Sequence, residues 1–413
     1  MASKPLTAAR SGPIDGAKTK IRPFPMRIPS KIMGGLKGYF FTFLILVSFA
    51  AGMIWPGPLA ASGAFDPQKK WLLQAVIQLV MFGMGAQMTM EDFKGVARRP
   101  RGALIGVLAH YSIMPVIGFL LAKAFRFDGE IAAGIVLVGS CSSGLSSNVM
   151  TYLAGANLAL SVTVTALTTV AAPLLTPFLM RVLAGRMVEV RLADMTVDIV
   201  KIVLVPIGAA LLHDHLKTAS PGARRAWRIT AGIAALWFAA LAAGGWRGLQ
   251  VRLTAGELTS VALAGYLLGA VLAGVVYHWA WGRIPGLRAA MPVVSMAGVA
   301  YFTVTTTVAG RDHLVAIGLW LLLASVLHNA AGYLFGLWVG RRSGLDLQSA
   351  RSIAFEVGLQ NCGMASGLAA SMGKLATVGL AAAVFSPWMN ISGSILANYW
   401  RGHAGKAAPR PLQ

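Results

Sequence analysis

Long apolar segments follow one another along this chain, and short polar stretches separate them. A helix needs about 20 mostly apolar residues to cross the hydrocarbon core of a bilayer. Segments of roughly that length recur throughout, so the pattern predicts an all-α polytopic membrane protein rather than a soluble fold. The twelve predicted spans are residues 39–56, 71–90, 102–125, 130–154, 157–184, 195–216, 227–247, 257–281, 290–310, 314–340, 350–373 and 376–400.

Two of these spans contain glycine and polar residues where the apolar pattern is otherwise continuous. The span 130–154 contains "GSCSSGLSSN" (139–148), and the span 350–373 contains "EVGLQNCG" (356–363). Each is followed by a span with internal proline. Paired, glycine-interrupted segments in the two halves of a chain are typical of secondary transporters built from inverted repeats, with the binding site at the breaks. Irregular backbone at that depth is tolerated only where it is buried or lines a cavity.

Composition supports a membrane protein and argues against nucleic-acid binding. The chain is 56% hydrophobic and only 12% charged, and its mean hydropathy is +0.67. So few charges cannot cover the surface of a soluble protein of 413 residues. The net charge of +22 comes from short loops and the N-terminal arm, not from one face of a soluble domain. The lipid bilayer is therefore an expected partner and nucleic acid is not.

The distribution of basic residues predicts the orientation. With the N-terminus in the cytoplasm, the cytoplasmic loops and termini collect 24 of the 36 Lys and Arg residues and the opposite side collects 11. This excess predicts a multi-pass protein of the cell membrane with both termini cytoplasmic and an even number of spans. Residues 1–38, with eight Lys or Arg and a single acid, are predicted to be a basic disordered arm, and residues 403–413 a tail.

Glu356 is an acid inside an otherwise apolar span. A charge at membrane depth costs about 2.5–3.5 kcal/mol on insertion scales, which favours a functional role. Gln360 lies four residues later on the same helix face. If the helix unwinds here, the carbonyls of Val357 or Leu359 can join these side chains as oxygen ligands for Na⁺. The alternative is a structural acid that is neutral or paired with lysine, although the in-span Lys201 has a nearer partner in Asp198.

A second group of side-chain oxygens lies in the first broken span and the one after it. Ser147 and Asn148 follow the break, and Ser161 and Thr165 are four residues apart on one helix face. Hydroxyls in membrane helices often bond back to the i−4 carbonyl or to a neighbouring helix, so ion binding and packing both remain open for this group.

Three other features of the apolar spans carry candidate chemistry. His110, shortly before Pro115, could be a proton carrier, an ion ligand or a packing residue. Asn390 is a polar residue after Pro387 in the last span. Cys141 and Cys362 lie within spans without a surrounding ligand cluster, so neither a disulfide framework nor a metal site is predicted from them.

Four stretches together resemble the bile acid:sodium symporter family. They are "GSCSSGLSSNVMTYLAGANLALSVTVTALTTVAAPLLTP" (139–177), "VLHNAAGYLFG" (326–336), "EVGLQNCGMASGLA" (356–369) and "FSPWMNISGSILANYW" (385–400). The resemblance covers residues 39–217 and 288–402. It implies ten helices in two inverted five-helix repeats, forming a panel domain and a core domain. It also implies two broken helices that cross beside two sodium sites, and organic anions as substrates.

The resemblance also implies roles for particular residues. The first sodium site corresponds to Ser147, Asn148, Ser161, Thr165 and Glu356. The second corresponds to Glu356, Gln360 and the backbone of Val357 and Leu359, together with a family glutamine whose position is His110 here. Asn361 and Asn390 correspond to asparagines near the substrate pocket.

This chain departs from the family pattern in four places. His110 replaces a glutamine of the second sodium site, Leu145 replaces a threonine near the substrate, and Met389 replaces a histidine. Residues 218–287 are an insertion that adds two predicted spans, which preserves the topology because the number is even. The substitution at His110 predicts one strong sodium site around Asn148 and a second site that is weak or linked to H⁺.

These observations predict a secondary active transporter that couples Na⁺ to uptake of a small organic anion by alternating access. The predicted parts are residues 39–217 for the first repeat and the start of the second, 218–287 for an inserted transmembrane hairpin, and 288–402 for the remainder of the second repeat. The alternatives are a related arsenite-type carrier that uses Cys141 as a soft ligand, a proton-coupled carrier, and a solute receptor that does not transport. An enzyme is not expected, because the sequence has no paired aspartates, HExxH motif or Ser/His set.

Overall fold

The computed structural model describes residues 40–98, 100–127 and 129–404, and these residues are almost entirely α-helical. The predicted arm, 1–38, and most of the predicted tail lie outside the described residues. The first half contains α1 (Phe40–Ile54), α2 (Pro56–Ala61), α3 (Lys70–Gly85), α4 (Met90–Arg98), α5 (Pro100–Ala124), α6 (Gly129–Ser140), α7 (Leu145–Leu153), α8 (Leu158–Leu179), α9 (Leu192–Ile199) and α10 (Val205–Thr218).

The second half continues in the same way. It contains α11 (Pro221–Ala240), α12 (Trp246–Arg252), α13 (Ala255–Trp281), α14 (Leu287–Ala309), α15 (Arg311–Arg342), α16 (Leu347–Gly358), α17 (Cys362–Ser371) and α18 (Gly379–Ala404). Short π-helical stretches extend α8 and join α9 to α10 and α11 to α12. Each of the twelve predicted spans therefore contains a helix or a broken pair of helices.

Eight helices of the described chain are long and apolar enough to cross a membrane, and three shorter apolar helices accompany them. The eight are Pro100–Ala124, Leu158–Ala184, Leu192–Thr218, Pro221–Arg252, Gly256–Trp281, Ala289–Ala309, Arg311–Arg342 and Gly379–Gly402. The protein is a polytopic helical membrane protein, as the apolar pattern predicts. The two spans with internal glycine and polar residues are divided into α6 with α7 and α16 with α17, because those residues do not continue the helix.

Small residues let α15 approach the second broken helix closely. A Cβ atom added at Gly332 would lie 2.6 Å from the Cα of Gly358, and one at Gly336 would lie 2.9 Å from the Cα of Ala354. Close backbone approach through glycine is a common way to pack helices in a membrane. It places Asn329 of α15 against the end of α16, where the Asn329 amide donates to the Gly358 carbonyl at 2.7 Å.

The helices of the predicted insertion, 218–287, are much less buried than those of the core. In the α11–α12 span and in α13, only 11% of the most apolar 18 residues are buried inside the protein. In Gly379–Gly402, 72% of the corresponding residues are buried. Helix α13 packs along α10, and α11 packs on α13. The backbone turns between α11 and α12 at Gly244, whose φ of 105° only glycine adopts readily. The segment thus lies beside α10, away from the broken helices.

Candidate ion-binding site

The two broken helices cross and satisfy each other's free backbone groups. The Gly144 N–H donates to the Leu359 carbonyl at 3.0 Å, and the Asn361 N–H donates to the Ser142 carbonyl at 2.9 Å. Ser143 and Gln360 thereby form a short antiparallel bridge. Such pairing is required because an unsatisfied N–H or C=O group deep in a membrane costs several kcal/mol. The crossing is therefore a stable element of the fold and not a frayed helix end.

Gly144 allows the backbones of the two broken helices to approach each other closely at the crossing. A Cβ atom at this position would lie 2.8 Å from the Gln360 oxygen and 3.2 Å from the Gln360 carbonyl carbon. Backbone atoms cannot move aside as a flexible side chain can, so any larger residue at 144 would push the crossing apart.

Glu356 lies at the end of α16, directly before the break, and is completely buried. Its carboxylate accepts hydrogen bonds from three hydroxyl groups. Ser147 and Ser161 donate to Oε1, Ser147 at 2.6 Å, and Thr165 donates to Oε2 at 2.8 Å. These donors come from α7 and α8 and lie 191 to 209 residues before Glu356 in the sequence. The structure thus brings the residues predicted for the first site together at one point.

The amide oxygen of Asn148 completes this group. It lies 2.9 Å from Ser161 Oγ and 3.3 Å from Thr165 Oγ1, two hydroxyls that already face the carboxylate. Each hydroxyl has one proton, so three hydroxyl groups cannot donate to the carboxylate and to Asn148 at the same time. The cluster therefore has more oxygen acceptors than hydroxyl protons. A cation at its centre would interact with the unsatisfied oxygens and would neutralise the negative charge of Glu356.

The donor set favours a hard monovalent cation. All six converging atoms are oxygens, which hard cations prefer, and they include a single carboxylate. Among the described residues, no group of three or more His, Cys, Asp or Glu side chains could hold a metal ion. The single negative charge matches that of one Na⁺, whereas sites for divalent ions usually contain several carboxylates.

The residues predicted for a second site also lie together, but most of their oxygens are already hydrogen-bonded. The Gln360 amide donates to the Val357 carbonyl at 2.6 Å. The Leu359 carbonyl accepts from Gly144 N–H and from Ser143 Oγ, the latter at 3.3 Å. Gln360 Oε1 is buried without a hydrogen-bond partner and is the remaining side-chain oxygen for a cation.

His110 connects the two breaks. Its Nδ1 lies 2.9 Å from the Glu356 carbonyl oxygen, and its Nε2 lies 2.8 Å from the Cys141 carbonyl oxygen. The side chain is fully buried. Both ring nitrogens therefore face carbonyl oxygens, and the neutral imidazole donates its single N–H to one of them, according to its tautomer. The imidazole joins the breaks directly, and neither nitrogen directs a lone pair toward a shared cation.

The residues predicted near the substrate lie on α7, α17 and α18. Asn361 Oδ1 accepts from Met364 N–H at 3.0 Å and so caps α17. Asn390 Nδ2 donates to the Ser386 carbonyl at 2.7 Å, while its Oδ1 is buried without a partner. Leu145 is partly buried at the start of α7. Met389 is buried against the break, where its sulfur accepts from Gln360 N–H at 3.3 Å.

Three further residues belong to this region and were not among the predicted ligands. Ser143 Oγ contacts Ser147 Oγ at 3.2 Å, and Thr168 Oγ1 accepts from Ser143 N–H at 3.3 Å. Asn329 holds the freed Gly358 carbonyl. The signal for Thr168 was its position three residues after Thr165 on the same helix face. Ser143 lies inside the quoted polar run of the first break, but nothing in that run distinguishes it from its neighbours.

Comparison with known proteins agrees with this arrangement. The model of the sodium bile acid symporter family matches residues 75–252. The uncharacterized sodium-dependent transporter YocS of Bacillus subtilis (strain 168) is 33% identical over 323 residues, which cover 78% of this chain and 80% of that protein. The ileal sodium/bile acid cotransporter of Homo sapiens is 24% identical over 300 residues, 71% of this chain and 68% of that protein.

A plant relative extends the comparison to a different named substrate class. The probable sodium/metabolite cotransporter BASS1, chloroplastic, of Oryza sativa subsp. japonica is 29% identical over 325 residues, 79% of this chain and 64% of that protein. The family and the named relatives are sodium-dependent transporters, and the buried oxygens at the crossed broken helices agree with them. This chain is therefore a sodium-dependent membrane transporter and not an enzyme. The chain belongs to the sodium bile acid symporter family.

Proposed function

We propose that this protein is a symporter that carries a small organic anion together with Na⁺ by alternating access. The observation that supports this most directly is the oxygen cluster of Glu356, Asn148 and three hydroxyls at the crossing of two broken helices. In the proposal, Ser147, Asn148, Ser161, Thr165 and Glu356 hold Na⁺. Asn361, Asn390 and Leu145 lie near the anion, and one membrane face at a time has access to the site.

We further propose that the chain consists of two inverted five-helix repeats interrupted by the 218–287 hairpin. Reciprocal contacts at the ends of the broken helices support this symmetry. Near the start of α6, Glu130 accepts hydrogen bonds from Lys374 and Thr377, which follow α17. Near the start of α16, Ser349 accepts from Asn157, which follows α7. Each broken helix is thus bound at its start to the segment that follows the other.

Sodium coupling has a clear energetic reason. An anion that enters a negative-inside cell climbs about 2.3 kcal/mol per charge per 100 mV, and a cotransported cation offsets that cost. Na⁺ bound at Glu356 would also neutralise the buried charge and hold α7, α8 and α16 together. If this order favours anion binding, each ligand raises the affinity for the other by the same factor.

The test is sodium-dependent binding followed by uptake. A thermal-shift screen of organic anions with Na⁺ or K⁺ should find an anion that raises the melting temperature only with Na⁺. In proteoliposomes, an inward Na⁺ gradient should then drive uptake of that labelled anion above its equilibrium level. Binding without uptake would favour a solute receptor, and accumulation driven equally well without Na⁺ would contradict the proposed coupling.

A separate prediction concerns the number of sodium ions. The comparisons support Na⁺ as the coupling ion and do not support H⁺, so a proton-linked second site stays a prediction. Because His110 joins both breaks and directs no lone pair toward a cation, we expect one sodium ion per cycle. Uptake should depend on Na⁺ with a Hill coefficient of about one. His110→Gln supplies an amide oxygen beside Gln360 and should raise that coefficient.

His328→Gln is the matched control for this variant. His328 is also a fully buried histidine near a carbonyl, with Nε2 3.1 Å from the Met114 oxygen, but this carbonyl lies within α5 and not at either break. We expect no change in sodium cooperativity there. A wild-type Hill coefficient near two, or equal changes in both variants, would contradict the single-sodium proposal.

A further inference from the structure

The inserted hairpin and α10 enclose an apolar groove of about 600 Å³ on the outside of the protein. This volume falls within the range of about 300–1,000 Å³ that is usual for small-molecule pockets. The groove lies next to the hairpin and not at the crossing of the broken helices. Its lining includes Leu204, Gly208 and His215 from the α10 region, Trp227 from α11, and Leu267 and Val271 from α13.

The shape of the groove follows from how the hairpin packs. Helix α13 lies tightly on α10, since a Cβ atom at Gly274 would lie 2.5 Å from the Ala209 carbonyl oxygen. Helix α11 reaches α10 near their shared loop, where Arg224 donates to the carbonyls of Leu216 and Lys217 at 3.0 and 2.9 Å. Away from that loop the helices diverge. A Cβ atom at Gly208 would meet nothing within 4 Å, so the groove floor is open there.

The groove is long enough to cross one membrane leaflet. Its lining runs from Val200 to His215, which corresponds to about 22 Å at the α-helical rise per residue. Half of a typical hydrocarbon core is about 15 Å. Trp227, whose ring lies 6.5 Å from that of His215, marks the end where the chain leaves the apolar layer. An extended acyl chain would fit this depth, with its head group at the His215 end.

The chain next to that end of the groove is rich in basic residues. Lys217, Arg224, Arg225 and Arg228 lie within twelve residues of one another, and this stretch contains no acid; Asp214, just before it, pairs with Lys217 at 3.1 Å. Arg224 and Arg228 lie one turn apart and so share a face of α11. Groups of Lys and Arg next to a membrane helix attract anionic lipid head groups.

We infer that this groove binds one anionic phospholipid, with an acyl chain along α10 and the phosphate among Lys217, Arg224 and Arg228. The occupant follows from the combination of an apolar groove long enough to cross one leaflet and a group of cationic residues at its His215 end. A zwitterionic lipid would match the groove but not the cationic residues. The site is separate from the proposed transport site, so it stands or falls independently of the identity of the transported anion.

The test uses the full-length protein in detergent and two lipids with the same acyl chains. Native mass spectrometry and thermal melting are measured with phosphatidylglycerol and with phosphatidylcholine. Phosphatidylglycerol should form a stoichiometric adduct and raise the melting temperature more than phosphatidylcholine does. Lys217→Gln with Arg228→Gln should weaken the apparent affinity for phosphatidylglycerol about tenfold or more, since two charges are removed. Arg224 is left intact because it holds the hairpin to α10.

A second variant tests the acyl-chain groove itself. Gly208→Leu places a side chain in the open floor and should abolish the phosphatidylglycerol adduct. Its control is Gly232→Leu, the same change at an exposed glycine of α11 whose added Cβ also meets nothing within 4 Å. The control for the charge variant is Arg247→Gln with Arg252→Gln, two exposed arginines at the other end of the hairpin. Both controls should bind phosphatidylglycerol like the wild type.

Four results would overturn the inference. The first is equal binding of the two lipids by the wild type. The second is a normal phosphatidylglycerol adduct in Gly208→Leu. The third is equal protection by decanoate, a single-chain carboxylate, which would show that the groove takes a transported-type anion and not a phospholipid. A change of oligomeric state in Gly208→Leu, seen by the same mass spectrometry, would instead assign the groove to a second copy of the chain and would equally contradict a lipid site.

Discussion

Replacement of Glu356 by glutamine is expected to leave a folded protein that no longer binds or responds to sodium. Glutamine has nearly the same volume, and the hydroxyls of Ser147, Ser161 and Thr165 can rotate to accept from its amide as well as donate. The variant loses the one negative charge of the oxygen cluster. Sodium-dependent stabilisation should disappear, and sodium-driven uptake should fall to the background of empty liposomes.

The stability of this variant without sodium separates a lost ligand from a damaged fold. A buried carboxylate must overcome a large desolvation cost, whereas a neutral amide carries much less. We therefore expect Glu356→Gln to melt no lower than the wild type in sodium-free buffer. Glu257→Gln, an exposed N-terminal residue of α13 in the hairpin, is the matched control and should keep the full sodium response. Normal sodium stabilisation of Glu356→Gln would refute the assignment of the site.

Replacement of Thr165 by valine should cause the second largest loss of sodium affinity. Valine keeps the shape of threonine, but it removes the hydroxyl that lies 2.8 Å from Glu356 Oε2 and 3.3 Å from Asn148 Oδ1. A hydrogen bond to a charged group contributes about 1.5–3 kcal/mol, and the loss of an ion ligand should be of similar size. We expect the sodium concentration for half-maximal stabilisation to rise about tenfold or more.

Thr169→Val provides a close comparison because it is the same change one turn further along α8. The Thr169 hydroxyl is also buried, and it donates to the Thr165 carbonyl at 2.8 Å. Its loss should lower stability slightly without a change in sodium affinity. Sodium titrations monitored by melting temperature would compare the two variants. Equal shifts in both would indicate a general weakening of α8 and would count against Thr165 as a ligand.

Residues 218–287, which the sequence predicts to be an inserted hairpin, are expected to leave the proposed transport core intact. An even number of added helices preserves the topology on either side, and the low burial of α11 and α13 means that few core contacts depend on them. In our proposal, a lipid bound between the hairpin and α10 would stabilise this side of the protein, close to the hydrogen bond from Met90 N–H to Asp214.

The sequence alone determined the class of protein and the location of the breaks. Apolar runs of membrane length do not occur by chance in soluble proteins, and two polar, glycine-containing interruptions within such runs predict broken helices by themselves. The isolated acid Glu356 was equally visible, because a charge at that depth is too costly to be incidental. These signals are local, so periodicity and residue type were sufficient to find them.

Only the tertiary structure shows the contacts themselves, although the resemblance to the family had implied the grouping around Glu356. Ser143 pairs with Gln360 and Ser147 with Glu356 across more than 200 residues, and no local pattern encodes such contacts. The sequence left ion binding and ordinary packing open for Ser161 and Thr165, since a hydroxyl in a helix can bond to its own backbone. Thr169 does so, whereas Ser161 and Thr165 face the carboxylate because α8 presents that side to the end of α16. Local patterns likewise left the role of His110 open. The packing of α5 against both breaks places its side chain between them, and these contacts depend on distances through space and not along the chain.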